Sequence, residues 1–365
     1  MTQDQSRPVR WAIFGTSPVA RKFALDLRGV AGAELASVAS RDPANAARFA
    51  TDLGVARAAD NYADALSDEI DAVYIATPPA LHEAHALMAI EAGCAALVEK
   101  PFAPTPEAAT RIAEAARAKG VFAMEAMWTR FQPLPRAIRD HIASGALGEL
   151  RRFEGRFLAA NQPDPQAGLF NLDLGGGALM HRGIYPLSLA RFFMGPITDL
   201  QAMAHLGDTG VDEDSVLLLR HDGSGALSTI HSSLRVAGQE GMAIHGTRGS
   251  LLIEGPAWRP TGAVALSTSA ASTAQGGPRK FETFRESGAG LKLSALLNRV
   301  RGVVRRPKRI RAPFEGNGYR YEALEVMEAL ANGRMESDLM PLEESIDLIG
   351  VVDRAQRLWQ TGQQQ

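Results

Sequence analysis

The feature that most constrains this chain is the alternation of short apolar runs with alanine-rich amphipathic stretches through its first third. Residues 9–14, 34–39, 72–76, 95–98 and 121–125 have the texture of strands, and 19–28, 43–53, 80–91 and 105–119 that of helices. Strands separated by helices cannot pair through tight hairpins. They need crossovers, and crossovers give a parallel sheet covered on both faces. Thr105-Pro106-Glu107 carries a capping hydroxyl and a proline at the first turn, as a helix start requires.

Past Gly148 the pattern changes. Residues 150–158, 200–206, 215–219, 225–232, 241–245 and 249–254 form short runs divided by turn residues, which predicts a largely antiparallel sheet. One helix, 178–193, interrupts them after Gly175-Gly176-Gly177. Two more close the chain near 319–331 and 342–359, the first stopped by Asn332-Gly333 and the second following Pro341. The expectation is an α/β unit over 1–126 and an α+β unit over 127–365, the latter interrupted by a basic insertion at about 267–312.

Within that insertion, residues 291–310 hold Lys292, Arg299, Arg301, Arg305, Arg306, Lys308 and Arg309 with no acidic side chain. One reading is a solvated insertion. The other is a helix that rests weakly on a membrane surface or docks a partner, since cations opposite Leu and Val suit anionic headgroups.

Composition narrows the function. With 39 Lys+Arg against 41 Asp+Glu the formal charge is −2, which argues against a nucleic-acid binder. The single cysteine, Cys94, excludes an intramolecular disulfide and a thiolate metal cluster, so a reducing, cytoplasmic setting is expected. The first ten residues lack the apolar core of a signal peptide, and no run of about 18 apolar residues spans a membrane. No cluster of His and acidic side chains marks a metal site.

The run 9–14 leads straight into Gly15-Thr16-Ser17-Pro18-Val19-Ala20 and then a helix. This is the form of a dinucleotide turn, in which Gly15 allows a tight bend and the helix amides face a pyrophosphate. Ser17 stands where the fingerprint has its second glycine, free either to crowd the phosphate or to donate to it. The second run ends at Ser40-Arg41-Asp42, where the ribose of the adenosine is normally met. Ser40 and Arg41 suit a 2′-phosphate and favour NADP. Asp42 keeps NAD open, although it is expected to cap the following helix.

The stretches Ala76-Thr77-Pro78-Pro79-Ala80-Leu81-His82 and Glu99-Lys100-Pro101 resemble the glucose–fructose oxidoreductase / inositol dehydrogenase family. So do Gly175-Gly176-Gly177-Ala178-Leu179, Gly183-Ile184-Tyr185-Pro186 and Gly316-Asn317-Gly318-Tyr319-Arg320-Tyr321-Glu322-Ala323. Glu125-Ala126-Met127-Trp128-Thr129-Arg130-Phe131 is similar to the branch of dimeric dihydrodiol dehydrogenases and NADP-dependent xylose dehydrogenases. The resemblance implies a Rossmann domain followed by an open mixed sheet whose outer face commonly makes a homodimer or homotetramer. It also implies NAD(P)-dependent hydride exchange on a small sugar, polyol or diol. Relatives that cleave glycosidic bonds with tightly held NAD, and a non-catalytic nucleotide-binding protein, are the alternatives.

Lys100 follows an apolar strand and so opens into the crevice of a parallel sheet, where an ammonium can stabilise a developing alkoxide. The resemblance gives Lys100 that role and Tyr185 the proton transfer. A nearby cation is expected to lower the phenol from its usual pKa of about 10. Glu99 is expected to meet the nicotinamide region or orient the lysine. His181 and Tyr185 lie four apart on one helix and so share a face. Relatives carry aspartate at His181, which leaves three readings: proton transfer, shaping of the pocket, or loss of alcohol oxidation. A place near the helix N-terminus should keep this ring neutral. Ala76, Thr77, Pro78 and His82 are expected along the cofactor, Trp128 and Arg130 at the substrate mouth, and His85 at the surface.

Overall fold

A computed structural model describes residues 7–66, 69–267 and 308–362, together with positions 288 and 292. The first sheet is built from β1 (Val9–Phe14), β2 (Ala33–Ala39), β3 (Arg57–Ala58), β4 (Ala72–Ile75), β5 (Ala95–Glu99) and β6 (Ala123–Ala126). They are all parallel, in the order β3-β2-β1-β4-β5-β6. β4 and β5 are buried at every position, as strands covered on both faces must be. The connections are α1 (Pro18–Leu27), α2 (Pro43–Leu53), α3 (His82–Glu91) and α4 (Pro106–Lys119). Strand order reverses between β1 and β4, so the crevice for a ligand opens at their carboxyl ends.

Helix α5 (Pro133–Ala143), between the sheets, escaped the sequence reading because its first turn holds two prolines, Pro133 and Pro135. The second sheet comprises β7 (Leu150–Leu158), β8 (Ile197–Leu206), β9 (Asp212–His221), β10 (Leu227–Ser233), β11 (Gly241–Gly246), β12 (Gly249–Glu254), β13 (Gly262–Ser267) and β14 (Lys308–Arg311). Its order is β14-β13-β12-β11-β7-β10-β9-β8. Only the β7–β10 pair is parallel, and the other pairs are antiparallel. A helix, α6 (Ile184–Met194), packs on the inner face, where Phe153, Leu217, Ile230 and Ile244 are buried.

Two expectations change here. Residues 308–310, assigned to the basic amphipathic stretch, belong to strand β14. It pairs with β13, which was not foreseen, and Arg309 lies 3.1 Å from Glu254 of β12. The rest of 291–310 lies outside the described residues, apart from Lys292. The C-terminal helices α7 (Arg320–Ala331) and α8 (Leu342–Gly362) were placed with the second unit. In space α8 bridges both: it packs on β8 of the second sheet and on α4 of the first, and Leu342 joins the core of the parallel sheet. No helix among the described residues is long and apolar enough to cross a membrane.

Candidate active site

At the end of β1, Gly15 takes a φ of 102°. A Cβ there would stand 2.7 Å from the carbonyl oxygen of Ala76, just past β4, so a side chain would force these two chain segments apart. Ser17 is the N-cap of α1. Its Oγ accepts from the Ala20 amide at 3.3 Å and donates to the Ala76 oxygen at 3.3 Å. Its hydroxyl thus ties the start of α1 to the chain just past β4 while Ser17 lines the cavity described below. Pro18 opens α1 without an N–H of its own, and Val19 follows it. Thr16 Oγ1 and Ser40 Oγ lie 3.5 Å apart at the ends of β1 and β2. Arg41 is exposed, and Asp42 caps α2 by accepting from the Ala44 amide at 2.9 Å.

The next loop is held by histidines that do not face outward. His82 is buried, with Nδ1 2.8 Å from the Pro101 oxygen and Nε2 2.9 Å from the Thr77 oxygen. It ties the loop after β4 to the loop after β5 rather than standing beside a ribose. Burial pushes it down to about 4 against the preference of the two carbonyls for a charged ring. His85 is not at the surface either. It is buried against Phe14, with Nδ1 3.0 Å from Thr77 Oγ1.

Glu99 ends β5 and is buried. Its carboxylate accepts from the Lys100 amide at 3.1 Å and from the Tyr74 hydroxyl. Burial raises its pKa, opposed by Lys100. The Lys100 Nζ donates to the His181 carbonyl at 3.2 Å and sits 5.0 Å from the centre of the Tyr185 ring. Burial lowers this amine, with Glu99 acting against it.

The triple glycine creates room. A Cβ on Gly177, at φ 126°, would collide with the carboxylate of Asp212, which instead accepts from the Leu179 amide at 2.8 Å. Asp212 thereby holds the start of a π-helical turn, Leu179–Gly183, that runs into α6. This turn carries His181, whose Nε2 lies 3.1 Å from the Gly175 carbonyl. A carbonyl only accepts, so Nε2 carries the proton and Nδ1 is left as an acceptor. Burial first, then Lys100, lowers His181 to about 3. The ring is neutral as expected, but for these reasons.

Tyr185 departs from expectation. Its hydroxyl accepts from Trp128 Nε1 at 3.2 Å, and burial together with Glu99 raises the phenol instead of lowering it. Arg130 is also corrected. It is fully buried, with Nη1 2.6 Å from Glu344 and Nε 2.7 Å from Ser188 Oγ, and it lines neither cavity described next.

Two cavities meet at these groups. One, of about 480 Å³, is lined by Ser17, Val19, Ala76, Thr77, Pro78, Glu99 and Lys100 at the carboxyl ends of the parallel strands. The other, of about 270 Å³, is lined by Trp128, Phe157, Trp258, Arg259 and Asn317. Lys100, His181, Tyr185 and Tyr319 line both. The first cavity runs from Ser17 and Val19 at the start of α1 to Lys100 and Tyr185, so these residues fit the nicotinamide half of a dinucleotide.

Residues 9–127 match the oxidoreductase family with an NAD-binding Rossmann fold, and 136–252 match the GFO/IDH/MocA C-terminal domain. An uncharacterized oxidoreductase, ORF334, from Rhizobium meliloti is 35% identical over 69% of this chain and 76% of its own. The chain belongs to the GFO/IDH/MocA oxidoreductase family. Trans-1,2-dihydrobenzene-1,2-diol dehydrogenase from Bos taurus is 27% identical over 96% of each chain. The NADP-dependent D-xylose 1-dehydrogenase of Hypocrea jecorina is 28% identical over 96% of this chain and 91% of its own. A 3-ketoreductase from Actinomadura kijaniata, solved with NADP and TDP-benzene, shares the fold with a TM-score of 0.76. It is 23% identical, with 96% of this chain and 98% of that one covered.

This oxidoreductase also uses residues that the sequence reading did not single out. Asp26 of α1 accepts from the amides of Asn317 and Tyr319 at 2.8 and 2.9 Å. Tyr319 then stacks on Trp128 with ring centres 4.5 Å apart. The Gly316–Tyr319 motif was visible, but its partner 291 residues upstream was not.

Proposed function

We propose that this oxidoreductase interconverts a carbonyl and a CH–OH group on a small sugar, polyol or diol. The observation that carries this reading is the placement of Lys100, His181 and Tyr185 on the shared wall of the two cavities. When bound, NAD(P) supplies or accepts a hydride. The Lys100 ammonium polarises the reacting oxygen and stabilises charge developing on it. The Tyr185 phenol, kept protonated by burial, holds the proton this oxygen takes up, while Trp128 fixes its hydroxyl. That resting state suits the reductive direction. Neutral His181 offers Nδ1 as an acceptor for a second substrate hydroxyl, so it shapes the pocket rather than moving the proton.

NADP is favoured over NAD. Arg41 is exposed just beyond buried Ser40, and capping occupies Asp42, the carboxylate that would otherwise meet a 2′-hydroxyl. The partner is a second copy of the chain, docked on the outer face of the second sheet. The chemistry is tested by replacing Lys100 with alanine. Turnover should fall by about 100-fold or more, as when a contact made in the transition state is removed. Near-normal turnover on a verified substrate would refute the assignment.

A further inference from the structure

The second cavity has an uneven charge. Its wall carries four cations, Lys22, Lys100, Arg182 and Arg259, and no aspartate or glutamate among the described lining residues. Some cations elsewhere are paired, as Arg111 is with Glu83, Arg117 with Glu343 and buried Arg130 with Glu344. Lys22, Arg182 and Arg259 have no carboxylate within ion-pair distance among the described residues. Glu99 offsets Lys100, and Glu240 acts on Arg182 from outside this wall, which leaves Lys22 and Arg259 to favour an anion in a space of about 270 Å³.

The four cations are not equivalent. Arg182 gives its guanidinium to the carbonyls of Ala159 and Ser233 and to the Asn161 side chain, so it contributes a field more than a contact. Lys100 is engaged with the His181 carbonyl beside the reacting position. Arg259 has only a 3.4 Å bond to the Gly316 oxygen and a stacking contact 4.6 Å from the Phe314 ring centre. Lys22 is exposed, one turn along α1 from the cap. These two have N–H groups to give. They are also separate from the cofactor space, since Ser17 and Val19 line the first cavity and Lys22 lines only the second. The lining is also aromatic: Trp128 and Trp258 lie 6.1 Å apart, and Phe157 lies 6.2 Å from Trp258. Such faces pack on the C–H surface of a sugar ring.

We propose that the substrate is anionic, a small hydroxylated ring or chain bearing a carboxylate or phosphate, with that group held by Lys22 and Arg259. This builds on the oxidoreductase reading, in which Lys100 marks the reacting oxygen on the wall shared with the first cavity. It is tested as binding, apart from turnover, so failure of the chemistry and failure of this inference are separable. The full chain, without cofactor, is titrated with D-glucuronate and D-glucose 6-phosphate against D-glucose, with quenching of tryptophan fluorescence as the readout.

One anion or both should bind about tenfold or more tightly than glucose. The preference should shrink as NaCl rises from ~0.05 to ~0.5 M. It should also fall about tenfold in the double variant Lys22→Gln, Arg259→Gln, and which anion leads tells carboxylate from phosphate. Equal or weaker binding of both anions than of glucose overturns the proposal. So does a preference that survives the double substitution unchanged.

Discussion

His181 carries the clearest consequence of a single side chain's surroundings. Its folded pKa of about 3 lies below the ordinary histidine value of about 6.5. Between those pH values the unfolded chain binds a proton that the folded chain does not, so this residue makes stability fall as pH falls. Asp212, pushed up to about 7 by burial, acts in the opposite sense over part of the same range, so the whole-protein profile hides the effect. Comparison with His181→Asn isolates it. The stability of the variant relative to the parent should grow below pH 6.5, by up to about 1.4 kcal/mol per unit. Urea unfolding at pH 7, 6 and 5 measures this, and a constant difference would mean that the ring is charged in the folded protein. The neutrality of His181 was legible in the sequence, but its causes were not. Burial and the approach of Lys100 arise from chain segments 81 residues apart. Arg130 was misread for a related reason, since Glu344, which takes it into the core, lies 214 residues downstream.

At the scale of elements, the alternation of strands and helices was readable because the parallel strands are mostly apolar and α1, α2 and α4 each carry a side-chain cap. Thr105 accepts from the Ala108 amide at 3.2 Å as its sequence position foretold. The π turn before α6 was not readable, since it depends on Asp212 reaching in from β9 through the gap left by Gly177. The second such long-range fastening is the one between α1 and the loop before α7. Asp26 is buried at 7% exposure and accepts from the Asn317 amide, the Asn317 side chain and the Tyr319 amide. Asp26→Ala leaves those donors without their partner and should cost about 3 kcal/mol, as removal of charged hydrogen bonds does. It should also loosen the stack of Tyr319 on Trp128. Denaturant midpoints give the first effect, and a rise in KM for substrate gives the second. A variant as stable as its parent would show that the loop is held by other contacts.

At the scale of the whole molecule, the second sheet presents one face to α6, and no helix among the described residues packs over the outward Leu218 and Met203. β9 alternates from Ser215 onward, with Leu217 and Leu219 at 0% and 1% exposure and Leu218 between them at 53%. An antiparallel strand with one wet face should carry polar side chains outward. Here Leu218, Leu227 at 44% and Met203 at 80% also face outward on neighbouring strands, among Arg152, Gln201 and Arg220. Such a patch favours a partner, and a second copy related by a two-fold axis would bury the same residues on both chains. A stable pair needs roughly 1,200–2,000 Å² of buried surface, which a sheet of this breadth can supply. The paired substitutions Leu218→Arg and Leu227→Arg place two cations at the centre of that face, where two copies would bring four together. Sedimentation velocity at micromolar concentration should give a dimer or tetramer for the parent and a monomer for the variant, with the fold of each checked by circular dichroism. A monomeric parent, or an assembly that tolerates the arginines, would move the contact to another surface.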